Sequence, residues 1–117
     1  AASGAWLAAR LIKWWWLTSR PFVRLADITP LFNPGDSNSF PSGHAAFFFA
    51  LALAVYAVDQ KFGQWLIAGA TIISLARVMA GVHWPLDILG GLALAIFVVP
   101  LALFIARSVD PGFGRRA

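Results

Sequence analysis

Three clusters of polar residues interrupt a largely apolar chain, and their side chains have the chemistry that phosphate binding and cleavage require. In the first, six residues separate a lysine from an Arg-Pro pair. The second reads Pro-Ser-Gly-His, and the third has an arginine, five residues, a histidine, three residues and an aspartate. Arginine binds phosphate through a planar, bidentate fork, and lysine adds a point charge. The candidate residues are Lys13, Arg20, Ser42, Gly43, His44, Arg77, His83 and Asp87.

The two histidines could divide the chemistry of phosphate transfer between them. A helix that begins near His83 would bring the carboxylate of Asp87 back toward the imidazole, since the two are four residues apart. A carboxylate on one ring nitrogen fixes the tautomer and makes the other nitrogen more nucleophilic. His83 could then attack phosphorus, while His44 protonates the leaving oxygen and later activates water. The cations would stabilise the phosphoryl oxygens, so this chemistry needs no metal or other cofactor.

The Pro-Ser-Gly-His run stands where an apolar segment begins, which predicts a helix N-terminus. Such a terminus presents free N–H groups and a positive dipole end that bind phosphate. Gly43 lets the backbone approach an anion closely, and Ser42 can cap the helix or donate to a phosphate oxygen. Taken singly, Lys13 could snorkel to lipid headgroups and Asp87 could complement a helix dipole. Their joint occurrence favours a site, whereas snorkelling is the preferred interpretation of Arg10.

Composition places the chain in lipid rather than in water. Of its 117 residues, 60% are hydrophobic and 12% are charged, with a mean hydropathy of +0.75. So few charges cannot cover a water-facing surface. The net charge of +4 does not indicate nucleic-acid binding, because the basic residues are scattered among apolar runs. No cysteine is present, which excludes disulfides and thiolate chemistry.

Four apolar segments must position the clusters: residues 5–17, 45–58, 62–80 and 86–106. A membrane span needs about 20 residues. The last two segments reach that length, the second does so if it opens at Ser42-Gly43-His44, and the first is marginal. We therefore expect an all-α, polytopic membrane helix bundle with four transmembrane helices. The long loop at 20–41 contains four prolines, and a loop of that length is often functional.

Alternation of these spans would place all three clusters on one membrane face. Lys61, Arg107, Arg115 and Arg116 would share the opposite face. Basic residues outside a site favour the cytoplasm. We therefore expect the polar clusters to face outward, away from the cytoplasm.

Several apolar residues have structural interpretations. Gly90-Gly91 predicts close helix packing, and the tryptophans at 14–16 are typical of an interfacial belt. The phenylalanines at 47–49 are expected to face lipid or the core, and one of them is a candidate for lining an acyl-chain groove.

The three clusters, in order and with their spacing, resemble the signature of the type-2 phosphatidic acid phosphatase (PAP2) family. One departure is Ala76, where the family usually has serine; the change removes a possible phosphate donor, and we expect a modest loss at most. By this resemblance His83 corresponds to the nucleophile, Asp87 to its orienting carboxylate and His44 to the acid. The residues that correspond to the phosphate pocket are Lys13, Arg20, Ser42, Gly43 and Arg77.

The resemblance implies a single PAP2-like membrane phosphatase domain across residues 1–117. Membrane members usually have six spans, so two would precede residue 1 and the domain would be N-terminally truncated. The implied activity is hydrolysis of a lipid phosphomonoester or diphosphate at the bilayer, without nucleic acid. An outward-facing site favours undecaprenyl diphosphate, followed by phosphatidic acid or phosphatidylglycerol phosphate.

Three other functions use the same residues. A lipid phosphotransferase would pass the phosphoryl group to an alcohol other than water. Vanadium-dependent haloperoxidases share the pocket, but they are soluble, and the apolar composition argues against them. A non-catalytic lipid-binding membrane protein is the third, and the presence of both histidines with Asp87 argues against it.

Overall fold

The described residues of the computed structural model, 1–25, 27, 29–31, 38–113 and 115, form five α-helices. Among them there is no β-strand, only an isolated antiparallel bridge between Ser19 and Asn38. The predicted all-α class is confirmed. Most of the central part of the long loop and residue Arg116 lie outside the described residues. The helices are α1 (Ala2–Trp15), α2 (Pro21–Arg24), α3 (Gly43–Tyr56), α4 (Gln60–Met79) and α5 (Pro85–Val109).

Helix starts follow local capping chemistry. Ser42 is the N-cap of α3, and its hydroxyl accepts a hydrogen bond from the Ala45 N–H at 3.3 Å. Asp59 caps α4 in the same way through the Phe62 N–H at 3.0 Å. Pro85 occupies the first turn of α5, where its missing N–H and fixed φ cost nothing. The predicted N-terminus at the Pro-Ser-Gly-His run is therefore present.

Two helices are long and apolar enough to cross a membrane. These are α4, with 20 residues, and α5, with 25; only 17% of the most apolar window of each is buried. Most of their apolar surface therefore faces outward. The third apolar helix, α3, has 14 residues and spans about 21 Å, which is less than the roughly 30 Å of a hydrocarbon core. Two of the four predicted spans thus have the required length, and the total of four stays a prediction.

Helix α3 packs against α1, α4 and α5, and the buried core lies along it. The core consists mostly of alanines, with Phe49 and Val99 as its large members. Small side chains let helix backbones approach closely, which is how helices associate when lipid removes the hydrophobic driving force. One such close approach holds the first turn of α3, and with it the Pro-Ser-Gly-His run, against α5.

Gly91 permits that approach. A Cβ atom at this position would lie 2.7 Å from both the Ser42 carbonyl oxygen and the Ala45 Cβ, and 2.8 Å from the Ala46 nitrogen. No side chain fits at such distances, so the predicted role of Gly90-Gly91 in close helix packing agrees with the structure at Gly91.

Replacing Gly91 by alanine is expected to push α5 away from α3 and to lower the free energy of unfolding by about 1–3 kcal/mol. Thermal unfolding of the detergent-solubilised protein measures the loss. Gly69→Ala in α4 is the matched control, because a Cβ there meets nothing within 4 Å. The control should be neutral or stabilising, since alanine is the better helix former. Equal melting temperatures for the two variants would contradict the packing argument.

Candidate active site

His83 and Asp87 form a buried pair between α4 and α5. Gly81, with a φ of 77°, reverses the chain after α4, and His83 lies in the turn before α5 begins. Asp87 is in the first turn of α5, and its Oδ2 lies 3.2 Å from His83 Nδ1. The two residues are 2% and 1% exposed. The helix start thus brings the carboxylate back to the imidazole, as the four-residue spacing predicts.

One carboxylate oxygen of Asp87 accepts three hydrogen bonds. Its Oδ2 accepts from His83 Nδ1, from the Trp84 N–H at 2.7 Å and from the hydroxyl of Ser39. Ser39 is fully buried and lies 48 positions away in sequence. Sequence reasoning missed this serine because no spacing rule distinguishes it from the other small polar residues of the loop. The hydroxyl and the amide hold the carboxylate in place beneath the imidazole.

Arg20 lies on the opposite side of the imidazole ring. Its Nη1 donates to the Val82 carbonyl at 2.7 Å and lies 3.4 Å from His83 Nε2. Arginine has no acceptor, so in this contact Nε2 must offer its lone pair. The ring proton is then on Nδ1, where it is donated to Asp87, a tautomer assigned from the network. The lone pair of Nε2 therefore points toward the guanidinium of Arg20.

Hydrogen bonds to backbone carbonyls bring the two ends of the long loop together near His83 and Asp87. The Ser39 N–H donates to the Thr18 carbonyl at 2.8 Å, and Asn38 Nδ2 donates to the Lys13 carbonyl at 3.3 Å. From the other side, the indole of Trp84 donates to the Ser19 carbonyl at 2.9 Å. These bonds hold the segment before α3 against the segment before α2, and they hold Trp84, the neighbour of His83, against the segment before α2.

The Pro-Ser-Gly-His run joins the same centre through the backbone. The Ser42 N–H donates to the Asp87 carbonyl at 3.0 Å, which fastens the start of α3 to the start of α5. Ser42 is fully buried and its hydroxyl caps α3. Gly43 is also buried, whereas His44 is exposed. His44 can therefore meet a substrate, while Ser42 acts first as a structural cap.

Positive charge converges on this end of the bundle. His44 experiences the charges of Arg77, Lys13 and Arg20 as well as the ring of His83. The structure thus brings all three clusters to one place. Direct contacts join His83 to Arg20 and Asp87, and join Asp87 to Ser42, next to which Gly43 is buried. The other three candidate residues lie within electrostatic range of this group: Lys13, His44 and Arg77. A site with this charge favours an anion of high charge, such as a phosphoryl group.

The imidazole of His83 is kept neutral by its surroundings. Burial lowers the pKa of His83 below its ordinary value of 6.5. The hydrogen bond that His83 Nδ1 donates to Asp87 opposes this, and the charges of Arg20 and Arg77 lower the pKa further. A buried neutral imidazole that donates its Nδ1 proton to a carboxylate keeps a lone pair at Nε2. That is the form in which a histidine can act as a nucleophile.

We expect the acid limb of the kcat/KM profile for phosphate release to lie below pH 6.5, where His83 takes up a proton. Because Arg77 is one of the charges that lower this pKa, Arg77→Gln should move the acid limb of the profile to higher pH. Lys61→Gln, at the opposite end of α4, should leave the limb in place. A limb that does not move in Arg77→Gln would contradict the electrostatic assignment.

Two cavities flank the site. One, of about 300 Å³, is lined by Trp6, Gly43, His44, Phe47 and Phe48. The other, of about 750 Å³, is lined by Trp16, Thr18, Arg24, Phe40, Trp84, Pro85, Leu86 and Asp87. The first cavity therefore meets the site at His44 and the second meets it at Asp87.

Several bacterial proteins are similar to this chain in sequence. A "Bacitracin transport permease protein BcrC" of Bacillus licheniformis is 31% identical over 86 residues, 74% of this chain and 41% of the relative. An "Undecaprenyl-diphosphatase BcrC" of Bacillus subtilis is 33% identical over 79 residues, 68% of this chain and 40% of the relative. A "Phosphatidylglycerophosphatase B" of Bacillus subtilis is 31% identical over 116 residues, 89% and 52% of the two chains. The chain thus spans about half or less of the length of these relatives.

The match to a family covers nearly the whole chain. Residues 1–108 correspond to the PAP2 superfamily. This range contains all three polar clusters and the helices that bring them together. The chain belongs to the PAP2 superfamily.

Proposed function

We propose that the protein is an integral-membrane lipid phosphatase that acts through a phosphohistidine on His83. The observation that carries the proposal is the position of His83, buried between a carboxylate on Nδ1 and a guanidinium at Nε2. This geometry leaves the nucleophilic lone pair beside the group that would hold the phosphate.

The first chemical step transfers the phosphoryl group to the protein. His83 Nε2 attacks phosphorus, and the bond from phosphorus to the lipid oxygen breaks. Protonated His44 gives its proton to that oxygen, so the lipid leaves in neutral or less charged form. The carboxylate of Asp87 stabilises the positive charge that develops on the phosphorylated ring. We assign the phosphoryl oxygens, which carry the negative charge in the transition state, to three cations: Lys13, Arg20 and Arg77.

The second step returns the protein to its starting state. Neutral His44 removes a proton from water, and the water oxygen attacks phosphorus. The bond from phosphorus to Nε2 breaks, inorganic phosphate leaves, and His44 is again protonated. The cations already neutralise the phosphoryl group, so we assign no metal to either step. In this proposal Gly43 admits the phosphate to the start of α3, and Ser42 holds that helix start in place.

Membrane insertion is supported by the outward-facing apolar surfaces of α4 and α5. The site lies where α4 ends and α5 begins, while Lys61 and Arg107 lie at the opposite ends of these helices. We propose that the end with Lys61 and Arg107 is cytoplasmic and that the site faces outward from a bacterial inner membrane. Residues 1–117 would then form one PAP2-like membrane domain.

A lipid that carries its phosphate at the outer surface suits this orientation. Undecaprenyl diphosphate is the first candidate, and it is named in one of the relatives above. Phosphatidylglycerol phosphate and phosphatidic acid follow. All of them present a terminal phosphate to the cluster of cations and leave an apolar tail in the bilayer.

A lipid panel tests the proposal. Purified protein in detergent micelles is offered undecaprenyl diphosphate, phosphatidic acid and phosphatidylglycerol phosphate, and released phosphate is measured with and without EDTA. We expect release in both conditions, with undecaprenyl diphosphate turned over fastest. Loss of activity in EDTA would contradict the metal-free mechanism. Phosphate transfer to an added alcohol, with little release to water, would identify a phosphotransferase, and binding without turnover would identify a non-catalytic protein.

A further inference from the structure

A third cavity, of about 480 Å³, lies at the end of the bundle opposite His83. Its walls come from the end of α3, the last turns of α5 and the segment after α5, and include Val58, Leu103, Arg107, Phe113 and Arg115. Helices α3 and α5 run away from the site from the point where Gly91 meets Ala45. At a rise of about 1.5 Å per residue, Arg107 lies about 24 Å farther along α5 than Gly91. The cavity therefore has no part in the chemistry proposed above.

Turns after α5 bring a second arginine to this cavity. The Gly112 N–H donates to the carboxylate of Asp110 at 2.9 Å, and the Phe113 N–H donates to the Asp110 carbonyl at 2.9 Å. The Arg115 N–H then donates to the Gly112 carbonyl at 3.1 Å. These bonds place Phe113 and Arg115 beside the cavity that Arg107 lines from α5. Two guanidinium groups from different segments thus line one cavity.

The charge of this cavity suits an anion. Among the described residues, neither of its guanidinium groups makes an ion pair or a side-chain hydrogen bond. The carboxylates next to it in sequence accept from backbone N–H groups instead: Asp110 accepts from Gly112, and Asp59 accepts from Phe62 as the cap of α4. Arginine binds a phosphate group through two parallel hydrogen bonds. The two arginines can therefore hold the phosphate of a ligand from two sides.

The surroundings of the cavity favour an anion that is attached to a lipid. Its walls are partly apolar, through Val58, Leu103 and Phe113. On neighbouring positions of α5, Leu101 and Phe104 are 59% and 71% exposed, which leaves apolar surface for acyl chains.

The length of α5 places the cavity at the level of lipid headgroups. A hydrocarbon core of roughly 30 Å is crossed by about 20 helical residues, so the 25 residues of α5 extend beyond it by about one turn. Arg107 lies in that last turn. A lipid beside α5 can thus put its phosphate in the cavity while its chains stay in the bilayer.

We propose that this cavity binds the phosphodiester headgroup of an anionic phospholipid from the leaflet opposite the active site. Arg107 and Arg115 donate to the phosphate oxygens, and the apolar walls contact the start of the acyl chains. In the orientation given above this leaflet is the cytoplasmic one, whose surface is negative, and basic pockets between transmembrane helices on that side bind such headgroups. The bound lipid fastens the segment after α5 to the ends of α3 and α5. This proposal rests on membrane insertion and not on the phosphatase activity.

Lipid titration of the purified full chain tests the site. The protein in a non-ionic detergent is titrated with dioleoyl phosphatidylglycerol or with dioleoyl phosphatidylcholine, and bound lipid is counted by native mass spectrometry. We expect phosphatidylglycerol to bind more tightly and to raise the melting temperature more, because a ligand of the folded state stabilises that state. Arg107→Gln and Arg115→Gln should each weaken binding of phosphatidylglycerol about tenfold. Both arginines are exposed, so we expect the variants to fold.

Two control variants separate the cavity from other positive charges. Lys61→Gln removes an exposed charge at the same end of the bundle but outside the cavity, and Arg77→Gln removes one at the active site. Both should bind phosphatidylglycerol like the unmodified protein. An equal loss in Lys61→Gln and Arg107→Gln would assign the attraction to the net charge of this end. Loss in Arg77→Gln with retention in Arg107→Gln would place the lipid at the active site.

A titration with inorganic phosphate distinguishes a lipid headgroup from a free anion. We expect inorganic phosphate to give the same change in melting temperature in Arg107→Gln as in the unmodified protein. Protection by inorganic phosphate that is lost in Arg107→Gln would overturn the assignment to a lipid, and equal binding of the two lipids would overturn the preference for an anionic headgroup. Each of these results is independent of phosphate release in the lipid panel, so this proposal and the phosphatase proposal can fail separately.

Discussion

Replacing His83 by alanine is expected to reduce release of phosphate from every lipid substrate by on the order of 10³-fold or more. The loss is this large because Nε2 of His83 forms the bond to phosphorus in the proposed first step. Binding of the substrate should persist, because the cations that surround the site are unchanged.

Trapping of the intermediate separates a nucleophile from a residue that only binds. The protein is mixed with ³²P-labelled p-nitrophenyl phosphate and quenched in base, where a phosphohistidine survives. This substrate has a good leaving group and needs little help from an acid. His44→Ala should therefore still form the adduct but release it slowly, so that label accumulates on His83. His83→Ala should carry no label, and label in that variant would show that another residue is the nucleophile.

Replacing Asp87 by asparagine is expected to slow turnover by on the order of 10²–10⁴-fold, as for the carboxylate of other histidine-centred sites. The Oδ2 of Asp87 accepts hydrogen bonds from Ser39, Trp84 and His83. Asparagine has the same shape but no negative charge. It cannot stabilise a positive ring on phosphorylated His83, and its amide nitrogen would favour the wrong tautomer.

The matched control for Asp87→Asn is Ser39→Ala, which removes one donor and keeps the charge. We expect Ser39→Ala to lose less than about tenfold in kcat, because two donors still orient the carboxylate. Both variants are compared by thermal unfolding in detergent, so that loss of fold is separated from loss of chemistry. If Asp87→Asn turned over substrate at the unmodified rate, while His83→Ala was inactive, the carboxylate would have no part in orienting the imidazole.

Local rules of sequence predicted the parts of the site that lie close together in the chain. The four-residue spacing of His83 and Asp87 needs only a helix start between them, and Pro85 provides it. Ser42 and Gly43 predicted the start of α3 because capping depends on neighbouring backbone groups. The order of the apolar segments likewise predicted an all-α chain with its polar clusters at one end. The roles of these residues in catalysis remain proposals.

Tertiary structure alone decided the contacts that join distant parts of the chain. Arg20 reaches Val82 and His83 across 62 and 63 positions, and Ser39 reaches Asp87 across 48. No periodicity encodes such pairs, because they depend on how α3 and α5 pack and on how the loop ends meet. The cavity beside His44 arises in the same way, from the side-by-side packing of α1 and α3. The sequence by itself thus determined which chemical groups are present around His83, whereas the fold determined which ring atom lies beside the guanidinium of Arg20 and which side chains line the cavity next to His44.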